Sequence, residues 1–231
     1  MIKAMILSAG YGKRLNPLTL ERPKPLLPIG SETLLSNTIK FLERNEIKEV
    51  VINVHYLSEQ IIDYINKKKF NLSINIVKEE DGILDTGGGV LNAIKYFLNE
   101  PFVIINPDTL WNENYNEEFH LMKKKFFSDK NCKCSLLLVD KEKSFDKNFK
   151  GDFNLINNLI SRKEKSNLKY IYTGMQIIHP TAFFDLKDKV FSINKIWDKL
   201  ILNNELFGIQ SKNDFFHIST LDIYNVLKKR F

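Results

Sequence analysis

Gly10 and Gly12 lie in a segment near the N-terminus whose residue types suit phosphate binding. The short apolar run 4–7 comes directly before it and predicts a buried strand rather than a helix. Glycines let the backbone approach a ligand closely, so successive amide N–H groups can point at phosphate oxygens. Arg14 adds a planar set of donors, and Lys24 adds a compact positive charge. Together these residues predict a binding site for a triphosphate.

The residues after the glycines carry a family signature. Residues 14–19 read Arg-Leu-x-Pro-Leu-Thr, and residues 23–28 read Pro-Lys-Pro-Leu-x-Pro. Both segments resemble the signature of the sugar-1-phosphate nucleotidylyltransferases, which make UDP-, GDP- and dTDP-sugars. The loop is no dinucleotide fingerprint, because Leu15 occupies the place of a third glycine, and it lacks the Walker sequence. The resemblance implies that Arg14 and Lys24 are catalytic and that the nucleotide is bound by Ser8, Ala9, Gly10, Gly12 and Lys13.

Three consecutive glycines form a second candidate contact with the nucleotide. A polar stretch, which predicts a loop, leads into residues 84–89, Leu-Asp-Thr-Gly-Gly-Gly. Glycines at the start of a helix allow a base or a ribose to lie against backbone amides. The segment resembles that of N-acetylmuramate 1-phosphate uridylyltransferases, whereas mannose-1-phosphate guanylyltransferases more often have an alanine among these glycines. We therefore expect the nucleotide to contact Thr86, Gly87 and Gly88.

Asp108 is the candidate metal ligand. The apolar run 101–106 predicts a strand, which Pro107 and Asp108 follow directly. A carboxylate at the C-terminal tip of a parallel strand faces the crevice where α/β proteins bind ligands. In the family that the chain resembles, an aspartate at this place holds a magnesium ion that bridges to the phosphates, so the resemblance implies Mg²⁺ as cofactor. Pro107 departs from the glycine usual in the family, because it fixes φ and removes an N–H donor.

His217 is the main departure from the family pattern. Relatives read Trp-x-Asp-x-Gly-Thr before the last helix, and there the aspartate is the second metal ligand. Here His217 replaces the aspartate and Ser219 the glycine, while Thr220 matches. Imidazole suits zinc, copper or iron better than magnesium, which prefers oxygen ligands. Asp214 does not replace the lost carboxylate, because residues three apart on a strand point to opposite faces. Three alternatives follow: magnesium is held by Asp108, phosphates and water, or the metal differs, or activity is reduced or lost.

The second half of the chain contains the candidate sugar-binding residues. Residues 151–155 resemble a family strand whose glycine lets the sugar lie near the backbone. A Thr-Gly pair at 173–174 recurs in relatives as part of the sugar pocket. Glu164 and Lys165 are similar to a sugar-binding pair of some relatives. The resemblance implies a sugar site formed by Asn106, Gly151, Asp152, Thr173 and Gly174.

Alternating strands and helices must position these residues. Amphipathic periodicity predicts helices over 32–46, 116–127 and 192–204 and from 58 onward, and apolar runs predict strands over 4–7, 50–54, 72–77, 101–106, 134–140 and 170–180. The family resemblance implies a further strand over 151–155. This alternation implies an α/β, Rossmann-like class with a mixed, mainly parallel sheet flanked by helices. The family resemblance implies the nucleotide-diphospho-sugar transferase fold with a small sugar-binding β lobe. We expect one domain, 1–231, with a nucleotide-binding half at 1–110 and a sugar-binding half with a closing helix at 111–231.

Length and composition exclude several classes of protein. The 231 residues are 43% hydrophobic and 27% charged, and no run approaches the roughly 18 apolar residues of a membrane span. Without a signal-peptide pattern, we expect a cytoplasmic protein and no membrane partner. The formal charge is +6, but the lysine runs fall near predicted helix ends, so we expect no nucleic-acid partner. Cys132 and Cys134 are expected to face one side of a strand as buried, reduced thiols.

The resemblance implies that a sugar-1-phosphate oxygen attacks the α-phosphorus of a nucleoside triphosphate and expels pyrophosphate. The attacking oxygen is already anionic, so positioning and charge stabilisation suffice. We expect Arg14 to bind the β- and γ-phosphates and Lys24 the α-phosphate and the sugar phosphate. UTP with N-acetylmuramate 1-phosphate ranks first, and guanylyl transfer to mannose or heptose 1-phosphate second. A nucleotide-binding protein without turnover is the alternative of another class, and a Rossmann dehydrogenase ranks last. The sequence shows no hexapeptide repeats, so we expect a protein unlike the bifunctional and allosteric relatives. We also expect a monomer or a small homo-oligomer.

Overall fold

The computed structural model describes residues 2–162, 167–184 and 186–231, so the pair Glu164 and Lys165 lies outside the described residues. The strands within these ranges are β1 (Lys3–Leu7), β2 (Pro28–Ile29), β3 (Glu32–Thr33), β4 (Glu49–Val54), β5 (Ser73–Lys78), β6 (Phe102–Ile105), β7 (Cys134–Asp140), β8 (Asn154–Ile156), β9 (Leu159–Ser161), β10 (Tyr170–Ile178) and β11 (Leu206–Ser211). The helices are α1 (Leu18–Glu21), α2 (Leu34–Arg44), α3 (Ser58–Lys67), α4 (Asp85–Ala93), α5 (Tyr115–Ser128), α6 (Asn194–Leu202) and α7 (Leu221–Arg230).

Nine of these strands form one mixed sheet in the order β5-β4-β1-β6-β10-β7-β11-β9-β8. The neighbours β5, β4, β1 and β6 are parallel, and β7 is parallel to β11. Strand β10 lies antiparallel between β6 and β7. The predicted α/β class with a mixed, mostly parallel sheet is thereby confirmed. Because the carboxyl ends of β1, β4 and β6 meet at one edge, the loops that follow them form a common cleft.

Alternating side chains of the strands place apolar residues on both faces of the sheet. In β1, Ala4 and Ile6 pack with α2, α3 and α5, whereas Met5 packs with α4 and α6 on the other face. A third apolar cluster joins Leu227 of α7 to Leu15, which follows the glycine loop. Full burial of such a leucine stabilises the fold by about 1.5–3 kcal/mol. The C-terminal helix therefore supports the loop that was predicted to bind phosphate.

Local differences from the predicted elements have local causes. Helix α2 begins two residues later than predicted, because Thr33 is its N-cap. The side-chain hydroxyl of Thr33 accepts a hydrogen bond from the amide of Ser36 at 3.1 Å. Cys132 and Cys134 are free, buried thiols, but they pack on opposite faces of the sheet. The prediction that they share one face is wrong, because Cys132 lies before β7, outside the regular alternation. In the described ranges, no helix combines the length and the apolar character that crossing a membrane requires.

Candidate functional site

A cleft of about 490 Å³ opens at the carboxyl ends of β1, β4 and β6. It brings together most of the residues that the N-terminal signature pointed to. The predicted residues on its lining are Ser8, Ala9, Gly10, Gly12, Lys13, Arg14, Lys24, Thr86, Asn106 and Asp108. A concave site with converging cations at this edge of an α/β sheet is suited to an anionic ligand.

Gly12 and Gly10 differ in whether the structure would tolerate a side chain at their positions. Gly12 has a φ of +65°, and a Cβ there would lie 3.0 Å from Thr19 Cγ2 and 3.1 Å from Lys24 Cβ. The hydroxyl of Thr19 also donates to the carbonyl of Gly12 at 3.0 Å, which fixes this turn. Around Gly10, a Cβ would meet nothing within 4 Å. Gly12 is therefore required by conformation and packing, whereas Gly10 leaves open space at the cleft.

Lys24 and Asp108 form an ion pair in the cleft. The ammonium of Lys24 lies 2.6 Å from Asp108 Oδ2, and the side chains are 13% and 20% exposed. Burial opposes ionisation of Asp108, but His217, when protonated, and the Lys24 ammonium lower the pKa of its carboxyl to about 2. Asp108 Oδ1 is buried and has no hydrogen-bond partner among the described residues. The site thus holds an ionised carboxylate with one unused acceptor.

His217 lies beside this carboxylate, as the family pattern implied for residue 217. Its Nδ1 is 3.6 Å from Asp108 Oδ1. The backbone fixes this approach, because the amide of Ile218 donates to the carbonyl of Asp108 at 2.8 Å. The ring of Phe215 stacks on the imidazole, with 5.6 Å between the centroids. Burial lowers the pKa of His217 to about 4, and the positive charge of Lys24 adds to this effect, so the imidazole is neutral near pH 7.

Ser219 and Asp146 support the segment that carries His217. The hydroxyl of Ser219 donates to Asp146 Oδ2 at 2.5 Å, and both residues are buried. Asp146 Oδ1 accepts from the amide of Asn148 at 3.0 Å. A glycine at position 219 has no hydroxyl and could not form this hydrogen bond with Asp146. Both carboxylate oxygens of Asp146 accept hydrogen bonds from protein donors, which holds this residue against the segment of Ser219.

Gly87 and Gly88 lie beneath another segment of the chain and are not on the cleft wall. A Cβ on Gly87 would lie 2.3 Å from the ring of Phe191, and one on Gly88 would lie 2.2 Å from the carbonyl oxygen of Lys189. The amides of both glycines donate to the carbonyl of Phe191, at 2.9 and 3.0 Å. This arrangement corrects the expectation that these amides face a base or a ribose. Of the three predicted residues, only Thr86 lines the cleft.

A second cavity of about 280 Å³ lies beside the cleft and shares Leu7, Asp85, Thr86 and Asn106 with it. Asp152 lines this cavity, accepts from the amide of Tyr172 at 2.9 Å, and has its carboxyl pKa raised by burial. The hydroxyl of Tyr172 is buried without a partner among the described residues. Arg162 also lines the cavity, with its guanidinium 4.3 Å from the ring centroid of Phe153. Such a set of donors and acceptors suits a polar ligand.

Three of the predicted sugar-binding residues, Gly151, Thr173 and Gly174, are not on the lining of either cavity. Gly151 and Gly174 have φ angles of +84° and +96°, and a Cβ on Gly151 would lie 2.3 Å from the carbonyl oxygen of Leu168. A Cβ on Gly174 would lie 3.0 Å from Asn106 Cβ. Thr173 is buried, and its carbonyl accepts from the hydroxyl of Thr109 at 2.7 Å. These contacts give the three residues a structural role, and their contact with a sugar stays a prediction.

Several lining residues were missed by sequence reasoning. They are Tyr11, Asn53, Ile83, Asp85, Arg162 and Tyr172. Asn53 carries a usable signal, because it is a polar residue near the carboxyl end of an apolar strand. Arg162 gives no such signal, since the surrounding sequence is polar and its register is not fixed by any periodicity.

Known proteins resemble this chain along most of its length. The nucleotidyl transferase family model matches residues 3–145. An N-acetylmuramate alpha-1-phosphate uridylyltransferase of Caulobacter vibrioides is 26% identical over 220 residues, which are 93% of this chain and 90% of that protein. A D-glycero-alpha-D-manno-heptose 1-phosphate guanylyltransferase of Aneurinibacillus thermoaerophilus is 28% identical over 232 residues, covering 99% and 97%. A putative glucose-1-phosphate thymidylyltransferase of Bacillus anthracis superposes with a TM-score of 0.79 at 18% identity, covering 100% and 95%. That likeness confirms the predicted nucleotide-diphospho-sugar transferase fold.

Proposed function

Because this chain belongs to the nucleotidyl transferase family, we propose that it transfers a nucleotidyl group from a nucleoside triphosphate to a sugar 1-phosphate. The observation that carries this proposal is the Lys24–Asp108 pair, at 2.6 Å, in a cleft that also contains Arg14 and the glycine loop. Cations and free backbone donors bind phosphate oxygens, and an ionised carboxylate binds a cation that accompanies them.

The reaction requires positioning and charge stabilisation more than acid–base chemistry. An oxygen of the sugar phosphate forms a bond to the α-phosphorus, and the bond from that phosphorus to the bridging oxygen breaks. The electron pair leaves with pyrophosphate, so no proton has to be removed from the attacking group. Arg14 is assigned to the β- and γ-phosphates, and Lys24 to the α-phosphate and the sugar phosphate. In this role, Lys24 exchanges its contact with Asp108 for phosphate oxygens that carry developing charge.

The donors near Asp108 fit a divalent cation that phosphates help to hold. The family generally uses a divalent metal. Asp108 Oδ1 is the unused acceptor, and His217 Nδ1 lies 3.6 Å away. Among the described residues, no cluster of three or more His, Cys, Asp or Glu side chains is arranged to hold a metal. Mg²⁺ is often bound by one carboxylate together with substrate phosphates and water, so we assign Mg²⁺ to Asp108 on these terms. The ion would neutralise phosphate charge.

UTP and N-acetylmuramate 1-phosphate are the proposed substrates. The similarity to the Caulobacter vibrioides protein and the Thr-Gly-Gly-Gly sequence support this pair. Arg162, on the wall of the second cavity, already pairs with Asp198 at 2.8 Å and donates to Asn194, and its remaining N–H donors suit the lactyl carboxylate of muramate. Guanylyl transfer to a heptose or mannose 1-phosphate is the second candidate. Asp85 and Asp152 favour it, because they line the same cavity and carboxylates accept hydrogen bonds from sugar hydroxyls.

The two halves of the chain divide these tasks. Among the described residues, those that line the cleft all precede residue 110, whereas most residues of the second cavity follow residue 151. We therefore assign 1–110 to the nucleotide and 111–231 to the sugar and the closing helix, within one domain.

Substitution of Lys24 tests the proposal. In Lys24→Ala, we expect pyrophosphate release to fall by about 100-fold or more, as is typical when a donor to developing charge is removed. Lys40→Ala is the matched control, because Lys40 also forms an ion pair, with Glu32 at 2.5 Å, but lies outside the cleft. Near wild-type turnover of Lys24→Ala would refute the assigned role.

A further inference from the structure

A chain of buried hydrogen bonds runs beneath the cleft and connects its two walls. The amide of Ser8 donates to Asn53 Oδ1 at 3.0 Å. Asn53 Nδ2 donates to Glu79 Oε1 at 2.7 Å. The amide of Leu84 donates to Glu79 Oε2 at 2.8 Å. Asn53 and Glu79 are each only 3% exposed, so this chain, here called the relay, is buried, although Asn53 also contributes to the cleft lining.

The relay joins the segments that carry the opposite walls. Ser8 begins the glycine loop, and Asn53 lies on β4, paired in register with Leu7 at the end of β1. Glu79 follows β5, with its amide bonded to the carbonyl of Val54 at 2.9 Å. Leu84 comes directly before α4, whose first residues line the other side of the cleft. A change in the relay would therefore shift one wall relative to the other.

The direction of each hydrogen bond fixes the residue types. An ionised carboxylate only accepts, and both oxygens of Glu79 are used. The carbonyl oxygen of Asn53 accepts from Ser8, so its NH₂ group must face Glu79. Gly89 leaves room for the pair, because a Cβ there would lie 2.7 Å from Asn53 Nδ2 and 2.7 Å from Glu79 Oε1. Asparagine at 53, glutamate at 79 and glycine at 89 thus depend on one another.

We propose that Asn53 and Glu79 are positioning residues that hold the two walls of the cleft at the separation that the nucleoside triphosphate requires. The proposal rests on the proposed function of the cleft. Ser8 gives it a direct link to a ligand, because its hydroxyl is buried on the cleft lining and has no partner among the described residues. The relay fixes the Ser8 amide and thereby the backbone that carries this hydroxyl on the cleft lining.

A swap of donor and acceptor tests the relay. In Glu79→Gln, the new NH₂ group faces either the Leu84 amide or the NH₂ of Asn53, so one donor loses its acceptor. In Asn53→Asp, two carboxylates face each other. In the double variant, which combines both substitutions, the new aspartate accepts from the Ser8 amide and from the new glutamine. The carbonyl oxygen of that glutamine accepts from the Leu84 amide, so every bond is restored with the net charge unchanged.

Calorimetric titration with UTP and with GTP measures the effect on binding. For the better ligand, we expect each single variant to bind about tenfold more weakly or worse, in keeping with the loss of a buried hydrogen bond to a charged group. The double variant should recover most of the affinity. Glu80→Gln is the control, because it removes the same charge from an exposed neighbour. In steady-state assays, KM for the triphosphate should rise while KM for the sugar phosphate stays constant, a split that general destabilisation would not produce.

Gly89→Ala and hydrogen exchange give a second measurement. Alanine normally stabilises a helix relative to glycine, but here it should weaken nucleotide binding, since its methyl displaces the relay. Without nucleotide, the amides of Ser8 and Leu84 should exchange faster in Glu79→Gln and at the wild-type rate in the double variant. If the single variants bind nucleotide like the wild type, or if the double variant is no better than they are, the inference is wrong. A wild-type protein that binds neither UTP nor GTP would overturn the proposed function, and with it the positioning role.

Discussion

Replacement of His217 by aspartate restores the carboxylate that the family pattern has at this position. The resulting loss in the free energy of unfolding can be worked out from the distances in the site. A carboxylate there lies about as far from Asp108 Oδ1 as His217 Nδ1 does, at 3.6 Å. At an effective dielectric constant of about 20, two such charges repel by about 5 kcal/mol. Protonating one of them at pH 7 instead costs about 4 kcal/mol, from its ordinary pKa. Lys24, bonded to Asp108 at 2.6 Å, offsets part of this cost.

We therefore expect His217→Asp to lower the free energy of unfolding by about 2–4 kcal/mol without divalent cations. For a chain of this length, that lowers the Tm by roughly 5–15 °C. A millimolar Mg²⁺ concentration should recover most of the loss, because two carboxylates form a stronger site for a hard cation than one. The wild type should gain much less from Mg²⁺, since its pair offers one carboxylate and an imidazole.

Thermal unfolding with and without Mg²⁺, followed by circular dichroism, measures this difference. His217→Asn is the matched control, because it is uncharged and of similar size to aspartate. Its Tm should be independent of Mg²⁺. A Tm of His217→Asp that equals the wild-type value without divalent cations, and does not rise with Mg²⁺, would refute the placement of residue 217 beside Asp108.

Three further predictions follow from burial and packing. Because the pKa of His217 is about 4 in the folded protein and ordinarily 6.5, the unfolded chain binds a proton that the folded protein does not; stability should therefore fall by about 3 kcal/mol as pH drops from 6.5 to 4. Urea denaturation across this range should show a smaller fall in His217→Asn than in the wild type, because His179, whose pKa burial also lowers, and carboxyls of lowered pKa such as Glu32 contribute to the fall in both. Gly88→Ala should cost about 1–3 kcal/mol in the same assay, because its methyl meets the carbonyl of Lys189, and unchanged stability would contradict this packing. Gly10→Ala should keep wild-type stability, since nothing lies within 4 Å of its Cβ, but should raise KM for the triphosphate, and an unchanged KM would place Gly10 away from the nucleotide.

Local patterns in the sequence predicted most of the sheet and the glycine loop that forms one wall of the cleft. The apolar runs at 50–54 and 134–140 correspond to β4 and β7, because a buried parallel strand needs a continuous apolar run. The glycine loop and Asp108 were also placed correctly at the strand ends. Both features depend on residues that are close in the chain, where periodicity and turn chemistry are informative.

The remaining parts of the site depend on distant residues. Gly87 and Gly88 were predicted to face a ligand, but Phe191 packs against Gly87 and Lys189 against Gly88, both from about 100 residues later in the chain. The sequence placed Glu79 in a polar loop. Only the fold shows that its carboxylate accepts a hydrogen bond from the side chain of Asn53. Arg162 was missed because its stacking on Phe153 and Trp197 requires the tertiary structure. The sequence around a glycine or a charged residue does not show whether that residue will contact a ligand or a distant part of the chain in the folded protein.

Pyrophosphate release with Mg²⁺ tests the central claim most directly. The assay combines UTP, GTP, dTTP and ATP with the 1-phosphates of N-acetylmuramate, mannose, a heptose and glucosamine. We expect turnover with one preferred pair, UTP with N-acetylmuramate 1-phosphate, and its loss in Lys24→Ala. Turnover of GTP with the heptose or mannose phosphate would support the second candidate. No release with any pair, from a folded protein that binds nucleotide, would contradict the proposed transferase activity and favour a nucleotide-binding protein without turnover.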